Sequence, residues 1–500
     1  MIINSFFKTL KKYPKRLFLS VNKKQISYND FYKILNNAIL ILRKNLNSKK
    51  KIIIALENSE YSFAVLMACL YLRITIFPIN PETNLDKIVE YAKETKVKYF
   101  ISEKNYKINK PIKQIKLTDF KKYSYEKKKI SIDFIKKFPK KDFNYIVSQS
   151  SGITGKSKKI IFTSECKYLR AINTIKLYKL KKKTISIICT PIYHSLAQRI
   201  FFVTLLTGGS IVIFKKFSLN EWYSSILKYK VSFSMLVSTH LRQFLYSKKF
   251  NFKKLKSLKT LVSTSDALKV EEKNSLRKKI DCNFHEIYGT SETATISDLK
   301  IIKTNSVNNF SVGKPLSDTK VIIKNKKNKI GEIYCKNSRM FKGYYGSNKK
   351  FRYFPTGDFG FLDRKGYLHY SGRKKDLIKI SGINILPFEV EKKINRCQLV
   401  KESVVIGIDN SIFGELIKLI IVPKKKDRNS IRFIKKYIEN NLNEYEKPQV
   451  FEIRSNLPKN SLGKIDKPSI KKNEQEKFEL EKNNNSKYLN LLNKLNEKRK

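Results

Sequence analysis

The chain has 500 residues and a mass of 58.6 kDa, too long for one compact core, so two or more domains are expected. A hydrophobic fraction of 41% with 12% aromatics is ample for burial and excludes a mainly disordered chain. Lys+Arg 105 against Asp+Glu 42 gives a net charge of +63. The cations recur in nearly every loop and form no stripe of the kind a phosphate backbone requires, so no nucleic-acid partner is expected. With Asn and Ile also abundant, the lysines read as a compositional bias at tolerant positions, the alternative being a functional basic surface. Cys69, Cys166, Cys189, Cys282, Cys335 and Cys397 form no CxxC pair and no Cys/His cluster, which points to a reducing compartment. The most apolar stretch, residues 63–79, is interrupted by Arg73 and Pro78 and is too short to span a bilayer. The first residues lack an apolar signal region, and a cytoplasmic location is expected.

From Lys51 the chain alternates short apolar runs with helix-like segments: KIIIALE, SFAVLMACLYLR, ITIFPINP, NLDKIVEYAKETK and VKYFIS. Such alternation predicts a parallel sheet covered by helices. It resumes with TISIICT, the apolar helix after Tyr193, SIVIF, a helix over residues 219–229, FSMLVS, LKTLVST and NFHEIYG. Beyond Gly313 the strands KVIIKN, GEIYCKN and YLHYSG are punctuated by glycine and turns, predicting a β-rich subdomain. Residues 374–472 carry their own small pattern of strands and helices, long enough for an independent domain. The expected fold is therefore α/β: an N-terminal domain of helix-covered sheets with a β-rich subdomain over 1–373, a small α+β domain over 374–472, and a charged tail over 473–500. In that tail Tyr488, Leu491, Leu492 and Leu495 recur at helical spacing, predicting a short packed or solvated helix and not a membrane anchor.

Residues 148–159, SQSSGITGKSKK, form a Ser/Thr/Gly/Lys-rich loop after the strand-like FNYIV. Small residues let backbone N–H groups approach phosphate oxygens, and the hydroxyls and lysines add donors and charge. The loop is not a Walker A motif: Ser150 stands where glycine is needed, and KKIIFT after it reads as a strand, not the required helix. A loop between two strands is either a plain hairpin or a different phosphate-binding device. Further along lie YGTSET at 288–293, TGD at 356–358, GRKKDLIKISGINILPFEVE at 372–391 and KNSLGKID at 459–466.

With these motifs in this order, residues 14–472 resemble the adenylate-forming superfamily of acyl-CoA synthetases, peptide-synthetase adenylation domains and luciferases. SSGITGKSK is similar to the family's TSGTTGxPKG, PIYHSLA to PLYHxxG, and STSDAL at 263–268 occupies the place of SGGAPL. The segments SVGKPL, GEIYCKN, MFKGYY, FGELIKL and LNEYEKPQVF follow the family's order. The resemblance implies an acid–thiol ligase that joins a carboxylic acid to AMP from Mg·ATP, expels pyrophosphate and passes the acyl group to coenzyme A, as in fatty acid metabolism. A stand-alone enzyme loading an acyl or aminoacyl group onto a carrier protein is the alternative.

Carried over motif by motif, Thr154, with Ser151, Gly152, Gly155 and Lys158, would cradle the β- and γ-phosphates. Glu292 would bind Mg²⁺, a hard cation that takes carboxylate and phosphate oxygens. Ser291 would reach the α-phosphate, while Tyr288 and Gly289, with Ser265, Asp266 and Ala267, would flank adenine. Asp358 would accept from the ribose hydroxyls, and Arg373 would add a charged donor. Lys464 would bridge the acid oxygen and the α-phosphate, offsetting the repulsion of two anions in the transition state. The small C-terminal domain would turn about a hinge at Lys375, bringing Gly382 to the pantetheine channel. His194 to Arg199, the 263–268 loop, Thr293 and Ala294 would wall the acyl pocket. His194 is either a gate or a packed histidine, and Arg199 either pairs with a second carboxylate or is a surface or helix-end cation. The chain departs from the family pattern at Ser157, Lys159, Thr264, Ser265 and Asp266, where Asp266 places an extra negative charge near a triphosphate.

Overall fold

The computed structural model describes residues 2–46, 50–108, 112–122, 142–149, 158–247, 249–302, 304, 306–327, 329–380, 383–410, 414–459 and 463–483. The chain forms two compact units, Met1–Lys320 with Lys336–Phe354, and Val321–Cys335 with Pro355–Lys500.

Two sheets build the first unit. One has seven strands, in the order Gly343–Tyr344, Lys159–Thr163, Asn144–Gln149, Thr75–Pro78, Lys51–Ala55, Tyr99–Ser102 and Lys113–Lys116. Its centre is parallel, and Lys51–Ala55 pairs on both sides with Ile53 opposite Phe77 and Phe100. Continuous apolar strands suit such a centre because helices cover both faces. The helix Glu60–Leu72 shows how one cover is started and stopped. Ser59 and Ser62 cap each other reciprocally, and Arg73 ends the helix in the left-handed conformation at φ 59°. Its apolar residues run all round, and Phe63 through Tyr71 are buried.

The second sheet has nine strands, running from Lys314–Pro315 through Ala294–Ile301, Asn283–Thr290, Thr260–Thr264, Phe233–Val237, Ile185–Ile188, Ser210–Ile213 and Leu17–Val21 to Lys24–Ser27. Its six inner strands, from Asn283–Thr290 to Leu17–Val21, are parallel, and antiparallel strands close both edges. Phe6, Phe18, Phe31, Phe63 and Phe201 meet in one aromatic core, with ring centroids 4.6–6.4 Å apart where they pair. The sole tryptophan, Trp222, is fully buried on the helix Leu219–Tyr229 and donates to Ser234 Oγ at 3.1 Å.

In the second unit, the strands Lys320–Lys327, Ile330–Lys336, Phe354–Leu362 and Leu368–Arg373 form a four-stranded sheet. A five-stranded sheet follows, dominated by the antiparallel ladder of Val400–Asn410 against Gly414–Pro423. The helices Pro387–Ile394, Arg428–Asn441 and Lys467–Asn483 accompany it, and Val390, Ile394, Ile434, Ile438 and Phe478 join its core. The last helix continues past Lys472. Its Glu474 is 1% exposed and paired with Lys418 and, at 2.5 Å, with Arg454. Tyr488, Leu491, Leu492 and Leu495 lie outside the described residues. The architecture is the expected α/β one, with a large unit of helix-covered sheets and a small α+β unit. Among the described residues no helix is long and apolar enough to cross a membrane.

Candidate active site

The antiparallel strands Asn144–Gln149 and Lys159–Thr163 frame the Ser/Gly loop, with Gln149 opposite Lys159. Ser151, Gly152, Thr154 and Gly155 lie outside the described residues. The first residue after them is Lys158, whose Nζ stands 5.2 Å from the centre of the Tyr344 ring. Tyr344 sits beside Ile160 because Gly343–Tyr344 pairs with that strand. Its hydroxyl donates to Glu292 Oε1 at 3.0 Å. Burial, and then the Glu292 charge, raise the phenol well above its usual range, so it stays a donor.

Glu292 occupies the turn between Asn283–Thr290 and Ala294–Ile301. The Thr290 N–H donates to Thr293 Oγ1 at 3.1 Å and the Thr293 N–H to Thr290 Oγ1 at 3.3 Å, closing that turn. A Cβ on Gly289 would come within 1.8 Å of the Ala294 carbonyl oxygen, so only glycine fits there. The Glu292 carbonyl accepts from Arg170 Nη2 at 3.0 Å and from the Phe341 N–H at 2.7 Å. The carboxylate is thus aimed by its own turn, by Tyr344 and by two anchors on its backbone. Ser291 is exposed beside it, and Tyr288 is half-buried.

After the strand Thr260–Thr264, Ser265 takes φ 82°, a left-handed backbone at a position where the resembling family has glycine. Arg242 holds the loop that follows. It donates to the Ala267 carbonyl at 3.2 Å, pairs with Asp266 at 3.5 Å and with Glu272 at 2.9 Å. The extra negative charge of Asp266 is therefore offset locally. A buried Lys273–Glu286 pair at 2.5 Å and a hydrogen bond from the Leu268 N–H to Glu286 Oε1 fix the end of the loop.

His194 is the N-cap residue of the helix Ser195–Thr207 but makes no side-chain cap bond. Its Nε2 is buried without a partner, and burial lowers the imidazole to about 4, so it is neutral near pH 7. Arg199 is not a surface or helix-end cation. Its guanidinium is turned inward, donates to Thr295 Oγ1 at 3.2 Å, and is pushed down to about 10 by burial and then by Arg170.

The second unit gathers another set. Asp358 and Arg373 are cross-strand partners, with Arg373 Nε 3.2 Å from Asp358 Oδ1. Asp358 is 2% exposed, follows Gly357 at φ 72°, and its N–H donates to Thr356 Oγ1 at 3.1 Å. Lys375 lies in the single turn Lys374–Asp376. It is held below the usual lysine range by desolvation first and then by Arg373, with Lys464 adding to the effect and Asp376 and Asp358 opposing it. Asp358, Arg373 and Lys464 are thus each within electrostatic reach of Lys375. Lys464 follows Gly463 at φ 72° in a loop closed at its base by the Lys459–Ile465 bridge. The Asp466 N–H bonds the Pro458 carbonyl at 2.9 Å, and Asp466 caps the helix that follows by accepting from the Ser469 N–H and hydroxyl. Gly382 lies outside the described residues.

Among the described residues no group of three His, Cys, Asp or Glu side chains could hold a metal on its own. The single carboxylate of Glu292 fits Mg²⁺ in the manner of sites where substrate phosphates supply most of the oxygens. Sequence reasoning missed Arg170, Arg242 and Arg339 as anchors, and the role of Tyr344 within MFKGYY. Each acts across a long sequence separation and follows no local pattern.

The family model described as AMP-binding enzyme matches residues 6–345, and that for the AMP-binding enzyme C-terminal domain matches 389–464. A long-chain-fatty-acid–CoA ligase of Bacillus subtilis (strain 168) is 29% identical over 271 aligned positions that cover 52% of this chain. The chain spans about half of that relative, 48% of its length. A 2-succinylbenzoate–CoA ligase of Oceanobacillus iheyensis is 24% identical, over 90% of this chain and 96% of the relative. The fold matches O-succinylbenzoate coenzyme A synthetase from Bacillus subtilis, solved with ATP and magnesium ion, at a TM-score of 0.80 and 20% identity, covering 92% of this chain and 98% of that one.

Proposed function

The chain belongs to the AMP-binding enzyme family, and from that premise we propose that it is an ATP-dependent acid–thiol ligase. A carboxylate oxygen of a small-molecule acid attacks the α-phosphorus of ATP, the bond to the β-phosphate oxygen breaks, and pyrophosphate leaves. The coenzyme A thiol, losing its proton, then attacks the acyl carbon, and AMP leaves. Mg²⁺, bound with ATP, would neutralise phosphate charge, and Glu292 would hold it. Tyr344 and Arg170 keep that carboxylate aimed, and Asp358 accepts from the ribose. Lys464 offsets the approach of two anions, and Lys375 is the pivot for the second step. The observation that carries this reading is that Lys464 and the Asp358–Arg373 pair belong to one compact unit and both act on Lys375, where a ribose acceptor and a phosphate-directed cation are needed together. Six free thiols accord with a cytoplasmic location.

The test is pyrophosphate release over short, aryl, dicarboxylic and long-chain acids, with coenzyme A or a carrier-protein thiol as acceptor. Acid-dependent release followed by a coenzyme A thioester is expected; thioester formation only on a carrier protein would replace the acceptor. Lys464→Ala should cost about a hundred- to thousandfold in adenylation, with much less effect on transfer from supplied acyl-adenylate. Equal loss in both half-reactions would remove Lys464 from the first step.

A further inference from the structure

Behind the Glu292 turn the first unit buries more positive charge than it neutralises. Lys167, Arg170 and Arg339 are 2%, 3% and 2% exposed, and Arg199 reaches the same interior from the helix Ser195–Thr207. Among the described residues only Arg339 has a carboxylate partner, Asp318. The others bond neutral atoms. Lys167 Nζ donates to Gln198 Oε1 at 2.7 Å, Arg170 to the carbonyls of Arg339 and Glu292 at 3.0 Å, and Arg199 to Thr295 Oγ1 at 3.2 Å. Asp298 is already committed, accepting from the Tyr178 hydroxyl at 3.1 Å and lying 2.8 Å from His285 Nδ1. Arg170 Nη1, Arg199 Nε and Arg339 Nε are buried with no acceptor among the described residues. Burial pushes Lys167 well below its usual range, and Arg170 and Arg199 add to the effect.

Buried cations left without counter-charge are costly, and so are buried donors left unmade. An anion among them would remove both penalties. The neighbours indicate which anion. Arg170 bonds Glu292 and Arg199 bonds Thr295, the residues on either side of Thr293 and Ala294, which the family resemblance assigns to the acyl-pocket wall together with His194 at the start of the Arg199 helix. We propose that Lys167, Arg170, Arg199 and Arg339 receive the distal carboxylate of the acid substrate, so that the enzyme selects dicarboxylic acids over monocarboxylic acids of the same length. The inference rests on the ligase reading above.

The deciding experiment uses the full chain with ATP and Mg²⁺ and compares kcat/KM for pyrophosphate release from length-matched mono- and dicarboxylic acids of short to medium chain. The best dicarboxylic acid should exceed its monocarboxylic match by on the order of a hundredfold, since buried donors would otherwise stay unpaired. Arg199→Leu should lower that ratio by about tenfold or more, with Arg199→Lys retaining part of it. A wild-type ratio at or below one overturns the inference whether or not the variants fold, and covers the case in which an inorganic anion fills the cluster. An unchanged ratio in folded Arg199→Leu also overturns it. Release with monocarboxylic acids alone leaves the ligase reading standing, whereas release with no acid removes both.

Discussion

The interior behind the Glu292 turn of the first unit and the second unit bury charge in opposite ways. In the first, Lys167, Arg170 and Arg199 lie inside with neutral acceptors. In the second, buried carboxylates are met by cations: Glu474 by Lys418, Arg454 and Lys477, Glu391 by Lys467 at 2.7 Å, Glu332 by Lys374 at 2.8 Å, and Asp358 by Arg373. The contrast separates two uses of buried charge. A carboxylate compensated from several sides joins elements together, and breaking it exposes its partners to an uncompensated interior. A buried cation left without a carboxylate is stabilised by any anion that reaches it.

The largest expected break of this contrast is Glu474→Gln, which deprives Lys418 and Arg454 of a shared partner. A loss of about 3–5 kcal/mol in the stability of the second unit is expected, measured by chemical denaturation followed by circular dichroism. A loss below about 1 kcal/mol would mean the network ties nothing together. A smaller effect comes from pH. His194 and His240 are each lowered to about 4 by burial, so the folded first unit takes up their protons only near pH 4, whereas the unfolded chain does so near 6.5. Their contribution is complete above pH 6.5 and declines as the pH falls toward 4, with a slope of up to about 1.4 kcal/mol per pH unit for each. His194→Gln should remove about half of that slope. An unaltered slope would assign it to other groups.

Ser265→Gly should gain about 1 kcal/mol by relieving the left-handed backbone, read as a rise in melting temperature; a fall would show that the serine side chain supports the loop. Lys167→Met should change stability least, within about 1 kcal/mol, because it removes a buried charge with no carboxylate partner. If it cost as much as Glu474→Gln, the distinction between the units would collapse.

The sheets were legible because their apolar runs are uninterrupted. TISIICT and FSMLVS read as buried strands, and the parallel pairing of Ile185–Ile188 with Phe233–Val237 follows from the helices between them. Glu292, Asp358, Arg373 and Lys464 stood out through their flanking motifs. Arg170, Arg242 and Arg339 did not, since a cation has little contrast in a chain with Lys+Arg 105. Chemistry offered one signal. A buried arginine meets a need for a planar, multi-donor cation that lysine does not. Arg170, Arg242, Arg339, Arg373 and Arg454 all serve such networks. The inward turn of Arg199 was hidden for another reason: helical spacing gives its face, but which face is covered depends on the distant Thr295 strand.

Trp222 gives the chain a built-in optical reporter. As the only indole, enclosed in the first unit and bonded to Ser234, it emits from one unit alone. Its fluorescence will therefore follow melting of the larger sheets, while far-ultraviolet ellipticity sums over both units. A denaturation curve recorded with the two signals side by side separates the order in which the units come apart, without labels and without cutting the chain.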